Sequence, residues 1–425
     1  GAFWYVNDRP GRDAASEPVV EVPAQPIENT EATTSAVTLL TDYRELAARD
    51  GMLSTIVEGL DAPWGVAWLP GGDILVTERF GTLQRISGDE VVTAIAGVPE
   101  VFAAGQGGLL DVTVHPEFSD NQFIYLSYAH GTEEGNRLRV ARARLVDDTL
   151  QDLEVIFEVA ETKSGSQHFG SRFAWLPDGT LLFSVGDGGN PPTEYDGALI
   201  REQAQNLDAH LGKLIRLNDD GSIPDDNPFV DRPDVLPEIY SYGHRNVQGI
   251  TVDPDTSQVF ASEHGSKGGD ELNAPVPGGN FGWPEATYST EYAPPGTPIS
   301  PDQSVPGMID PLIAWTPTIA PSSLVHYSGG RYGGEADDDL FLAAMLLRES
   351  DSILSYIGSP PGAILHLMTD DSGTIIDQTR IMVGDVRVRS IAQGPDGYLY
   401  VLTDATGRQN RAGRDGGALH RLESF

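Results

Sequence analysis

A short phrase of apolar and polar positions returns along this chain. One or two apolar residues lead into a proline or glycine turn, and a β-rich run follows. It stands at residues 67–78 (AWLPGGDILVTE), at 114–116 with 122–128, and at 174–184 (AWLPDGTLLFS). It returns at 252–254 with 258–262, at 324–327 with 339–343 in a form without the proline, and at 393–403 (QGPDGYLYVLT). Proline presets one turn dihedral and Asp-Gly supplies the tight reversal, so each phrase predicts a β-hairpin. The phrases lie roughly 45 to 80 residues apart, which leaves room for a four-stranded unit and its loops. The expectation is an all-β chain folded as a six-bladed β-propeller of four-stranded antiparallel blades. Two stacked β-sandwich domains are the alternative. Residues 53–58 and 418–423 read as strands before the first phrase and after the last, one completing the other's blade and so closing the ring. Helical patterning is confined to 39–48 and 340–348.

Composition agrees with a turn-rich β protein: 425 residues with 48 glycines and 30 prolines. Cysteine is absent, which excludes disulfides and thiol catalysis. The formal net charge is -36, from 63 acidic and 27 basic residues, so no nucleic acid or anionic membrane is expected as a partner. An anionic ligand would need a local group of arginines. Residues 1–6 (GAFWYV) read as the trimmed end of a signal or anchor and are too short to span a bilayer. Residues 7–38 are rich in Pro, Glu, Ala and Thr, as in a linker. The expected division is a flexible segment over 1–47 and the propeller over 48–425, in a periplasmic or extracellular setting, with an N-terminal anchor a possibility left open.

Polar, glycine-flanked blocks precede the predicted hairpins at similar positions. They are Gly105-Gln106-Gly107-Gly108, Ser166-Gln167-His168, Gly243-His244-Arg245-Asn246 and Arg387-Val388-Arg389. Loops at one rim of a propeller bring such residues together from distant parts of the chain. His168 suits a general base, because imidazole accepts a proton near neutral pH. Asp187 ends the hairpin that begins just after His168 and is placed to orient it; the alternative is a structural, hydrogen-bonded histidine. Arg245, Arg387 and Arg389 gather positive charge suited to a carboxylated ligand. Carbonyls of Gly265 and Ser266, in Glu263-His264-Gly265-Ser266, are candidate ligands for calcium, a hard cation that takes oxygen donors.

These blocks, with Ser262-Glu263-His264-Gly265 and Gly278-Gly279-Asn280-Phe281-Gly282-Trp283-Pro284, resemble the soluble quinoprotein glucose and aldose sugar dehydrogenases. Those are six-bladed propellers that use pyrroloquinoline quinone (PQQ) and calcium. The resemblance runs from about residue 59 to 406. It implies a sugar substrate oxidised at the anomeric carbon to a lactone, with an external electron acceptor. His168 would take the hydroxyl proton while hydride passes to the quinone, and Asp187 would orient His168. Gln106 and Arg245 would sit over the reacting centre. Gln106, Arg245, Asn246, Arg387, Arg389 and Thr403 would hold the cofactor. Gly265 and Ser266 would bind its calcium, and Glu271 would belong to a second, structural calcium site.

The chain departs from that pattern at three places. Leu346 stands where the family carries a cofactor-binding lysine, and the chain's only lysines are Lys163, Lys213 and Lys267. Gln167 replaces an aspartate before the histidine, and Ser266 replaces a proline. Residues 348–362 read as an insertion. The competing functions are a calcium-dependent lactonase on the same fold and a non-catalytic sugar- or ligand-binding propeller.

Overall fold

The structure is a computed structural model and describes residues 38–334, 336–346, 362–370, 373–404 and 416–425. Segment 1–37, with its predicted anchor and most of its linker, lies outside these, as does nearly all of the insertion at 348–362. Six antiparallel sheets form the blades of a six-bladed propeller. Blade one is Pro63–Trp68, Ile74–Glu78, Thr82–Ile86 and Val92–Ile95. Blade two is Leu109–Val114, Phe123–Gly131, Asn136–Val146 and Thr149–Glu158. Blade three is Phe173–Trp175, Leu181–Val185, Lys213–Leu217 and Ile239–Tyr242. Blade four is Val247–Val252, Val259–Glu263, Asp270–Asn273 and Ile313–Trp315. Blade five is Pro321–His326, Leu340–Ala344, Ala363–Thr369 and Ile375–Met382. Blade six takes Arg387–Gln393, Leu399–Asp404 and Gly417–Ser424, and its outer strand is Met52–Leu60 from near the other end of the chain. The first strands of successive blades neighbour one another around the ring.

The ring closes as the sequence predicts, and the closure is apolar. Val57 and Leu60 on the early strand pack with Leu402 and Leu419 on the late ones. Leu419 is fully buried. Leu419→Ala should therefore cost about 2–5 kcal/mol, the range for emptying a buried leucine site. Urea unfolding measures it; a loss under about 1 kcal/mol would mean the seam contributes little to the fold.

Both predicted helices are absent. Leu39–Thr41 is a strand added parallel to the outer edge of blade four, and Ala47–Asp50 a strand added parallel to the outer edge of blade five, with only a 3-10 turn, Tyr43–Glu45, between them. Pairing with a waiting sheet edge outweighs the helix propensity of an Ala- and Leu-rich run. Leu340–Ala344 is the second strand of blade five and is buried at every position. An apolar run covered on both faces carries no period to tell strand from helix.

Candidate active site

Within each hairpin the start of the first strand and the end of the second meet at the same rim. Gln106 and His168 precede the first strands of blades two and three, and Arg245 and Asn246 precede that of blade four. Arg387 and Arg389 open the first strand of blade six. From the second strands come Arg79, Asp187, His264, Met345 and Asp404. Some of these residues enclose a cavity of about 640 Å³, whose wall includes Arg79, Gln106, Gln248, His264, Arg387 and Arg389; His168, Asp187, Arg245 and Asn246 are not part of that wall.

His168 and Asp187 meet. Nδ1 of His168 is 2.6 Å from Oδ1 of Asp187, and both side chains are almost wholly buried. The second Asp187 oxygen accepts the Trp283 indole N–H at 2.8 Å. A carboxylate only accepts here, so it fixes the imidazole proton on Nδ1 and leaves Nε2 as an acceptor. Asn190 Nδ2 lies 3.4 Å from Nε2. Burial, then the Arg245 cation, lower the His168 pKa against the opposing pull of Asp187, which keeps the imidazole neutral. His168 has φ 49°, uncommon for a residue with a side chain, and Gln106 Oε1 secures that turn by accepting its N–H at 2.8 Å. Gly186 has to be glycine, because a Cβ there would come within 2.3 Å of the His168 carbonyl oxygen.

Arg245 is held on several sides. Its N–H donates to Glu263 Oε2 at 2.6 Å, Nη1 to the His264 carbonyl at 3.0 Å and Nη2 to Asn190 Oδ1 at 2.7 Å. Its guanidinium lies 5.3 Å from the Trp283 ring centroid, and its Nε is buried without a partner. Asn246 knits loops together: its Oδ1 accepts the Gly170 N–H at 3.1 Å and its carbonyl accepts the His264 N–H at 3.2 Å.

Across the cavity, Arg387 Nη1 sits 2.7 Å from Asp404 Oδ2, and Arg389 Nη2 is 3.6 Å from the same oxygen. Burial, then the neighbouring Arg387, pull the Arg389 pKa down to about 9. Thr403 is buried with its hydroxyl 3.0 Å from His420 Nε2. Side chains alternate along a strand, so Thr403 faces the blade interior while its neighbour Asp404 reaches the cavity. At the fifth blade Met345 lines the cavity and Leu346 follows it. Two cavity atoms are buried without partners, Gln248 Oε1 and His264 Nε2. Burial, then Arg245, hold His264 well below the usual imidazole pKa, so it too is neutral. Cations sharing one carboxylate fit a polycarboxylate such as PQQ.

The Gly265 N–H donates to Asp270 Oδ1 at 2.8 Å, and the Ser266 N–H to the Ser289 hydroxyl at 3.1 Å. In a trans peptide the carbonyl points opposite to the N–H, so the Gly265 carbonyl is turned away from Ser289. Among the described residues no group of three or more His, Cys, Asp or Glu side chains could hold a metal. Glu271 faces Glu263 across the strand pair, 3.3 Å from Asn273 Nδ2. Burial, then the facing Glu263, push its pKa well above the carboxylate range.

Asp404, Trp283 and Arg79 were missed by reading the loops before each first strand. For Arg79 and Asp404 the signal lay in the second strands: the end of the second strand of each hairpin returns to the same rim.

The fold and site together define a propeller with a buried histidine–aspartate pair and a cavity lined by arginines. The comparisons name the class: residues 60–411 match the family described as glucose/sorbosone dehydrogenase, and the chain belongs to that family. It is 50% identical over 379 residues to the uncharacterized protein slr1608 of Synechocystis, covering 87% of this chain and 85% of that one. It is 35% identical over 357 residues to the aldose sugar dehydrogenase YliI of Escherichia coli, covering 83% and 90%. Among solved structures, the PQQ-bound aldose sugar dehydrogenase of Streptomyces coelicolor superposes with a TM-score of 0.65 at 27% identity, covering 88% of this chain and 99% of that one.

Proposed function

We propose that this protein is a PQQ-dependent dehydrogenase that oxidises aldoses at the anomeric carbon to lactones with the assistance of calcium. The observation that carries the reading is the buried His168–Asp187 pair, in which the His168 backbone is held by Gln106, a residue of the cavity wall that also includes Arg387 and Arg389. Nε2 of His168 takes the proton from the C1 hydroxyl. Asp187 holds the ring in orientation and stabilises the imidazolium that forms, and the Trp283 N–H holds Asp187. Arg245 stabilises negative charge developing at the reacting centre, fixed there by Asn190 and the His264 carbonyl. Gln106 positions the His168 backbone. Arg387, Arg389, Arg245 and Asn246 are the residues that would hold PQQ, with Thr403 supporting the wall from behind, and the carbonyls of Gly265 and Ser266 would hold its calcium. When bound, PQQ supplies the two-electron acceptor for the hydride that leaves C1, and an external acceptor reoxidises it. We place this activity outside the cytoplasm. The sugar-dehydrogenase relatives support the reaction class, and the PQQ-bound relative supports the cofactor.

Purified protein given PQQ and calcium, assayed on aldoses with an artificial electron acceptor, tests the reading; turnover of a lactone without redox change would overturn it. Chelation should abolish activity and added calcium should restore it. Ser266→Ala should change calcium affinity less than about threefold, because the carbonyl donor survives. Strong calcium loss in that variant would make the hydroxyl the ligand instead.

A further inference from the structure

Arg79 follows the second strand of blade one and opens onto the same cavity as Arg387 and Arg389. One carboxylate on the inner wall, Asp404, serves these guanidinium groups, and Glu133 is exposed at the rim. Asp404 is taken by Arg387 at 2.7 Å and more distantly by Arg389. Arg79 makes no direct ion pair among the described residues, although the charges of Asp404 and Asp61 act on it; its Nη1 donates to the Gly105 carbonyl. A chain of net charge -36 thus concentrates three arginines on one wall with a single inner counter-charge. Arginine clusters left short of anions inside a cavity are built to receive one, since each guanidinium offers a planar fork to a carboxylate.

Arg79 is also tied to the loop that carries Gln106. Its carbonyl accepts the Leu109 N–H at 2.9 Å, and its own side chain stands where a Cβ on Gly108 would fall. Gln106 in turn secures His168. Its guanidinium is therefore fixed in place before a ligand arrives, which lowers the entropic cost of binding.

We infer that Arg79 is a third anion-binding residue of this cavity, taking a carboxylate of a polycarboxylated ligand that Leu346 and Met345, being apolar, cannot take. The ligand is PQQ if the function proposed above holds, and the inference rests on that reading only for the ligand's name.

The test is titration calorimetry of the full chain, in calcium-containing buffer, with PQQ and separately with citrate as a simple polycarboxylate. The variants are Arg79→Met and Arg79→Lys, with thermal unfolding run alongside. Arg79→Met should weaken binding roughly ten- to a hundredfold, as loss of one buried charge-assisted bond does, and Arg79→Lys should recover part of it. A PQQ analogue lacking the contacted carboxylate should bind Arg79→Met and the parent protein alike. Unchanged PQQ and citrate binding in Arg79→Met would overturn the inference. So would equal weakening in both variants together with a lowered melting temperature, which would make Arg79 a loop clamp alone. Arg79-dependent citrate binding with no PQQ binding would keep the anion site and remove the quinoprotein reading. Binding of neither ligand by the parent protein would remove both.

Discussion

His168→Ala is expected to lower turnover by roughly two to four orders of magnitude, the usual loss when a general base is removed. PQQ affinity should largely survive, because the Arg387 and Arg389 wall belongs to a different blade. The geometry makes the loss specific. Asp187 and Trp283 exist in the site as one bonded unit with the imidazole, so alanine leaves an oriented carboxylate with nothing to orient. The same argument fixes the pH profile. Burial and Arg245 lower the His168 pKa from the ordinary 6.5, so the base stays unprotonated further into acid. The acid limb of kcat/KM in the parent protein should therefore fall below pH 6.5 and vanish in His168→Ala. Steady-state kinetics across pH, with calorimetry for PQQ, settles it. Near-parental turnover in the variant would remove His168 from the chemistry.

The Arg387→Ala/Arg389→Ala double variant should lose PQQ binding by at least about two orders of magnitude. Each charge-assisted bond in a desolvated cavity contributes roughly 1.5–3 kcal/mol, and tenfold in affinity is about 1.4 kcal/mol. A second effect adds to the first. Asp404 is buried and lies against these two guanidiniums. Without them it faces the cavity as an unpaired anion and repels the ligand it formerly helped to seat. Removing Asp404 as well, as Asn, should then recover part of the lost affinity. Calorimetry and the cofactor's absorbance report both steps. Retained tight binding in the double variant would place the ligand's carboxylates elsewhere.

The repeated hairpin phrase made the blades legible because each carries its own turn chemistry and strand pattern within about a dozen residues. His168, Arg245 and Arg387 were legible for a similar reason: each stands in a polar block set just before a first strand. Trp283 was not legible as a partner of Asp187, since 96 residues and a whole blade hairpin separate them in sequence. Asp404 was hidden beside Thr403, where only the strand's alternation decides which of two polar neighbours faces the cavity. The strand character of residues 39–50 depends on sheet edges formed more than two hundred residues later, so no local pattern contains it.

Those two early strands also bear on how this molecule avoids joining its neighbours. A propeller presents one outer strand per blade, and every such strand offers unpaired backbone groups to another chain. Here Leu39–Thr41 and Ala47–Asp50 cover the outer edges of blades four and five before the chain goes on to close blade six. Among the described residues, the outer edge of blade two carries only the single bridge of Ala96 to Thr149. Its outer strand, Thr149–Glu158, instead carries Asp152, Glu154 and Glu158, with register shifts along its pairing. Acidic side chains and bulges along an open edge discourage a second strand from adding there. The strap that reads as a mere lead-in to the ring is thus part of two blades, and trimming it would bare the outer strands of blades four and five at once.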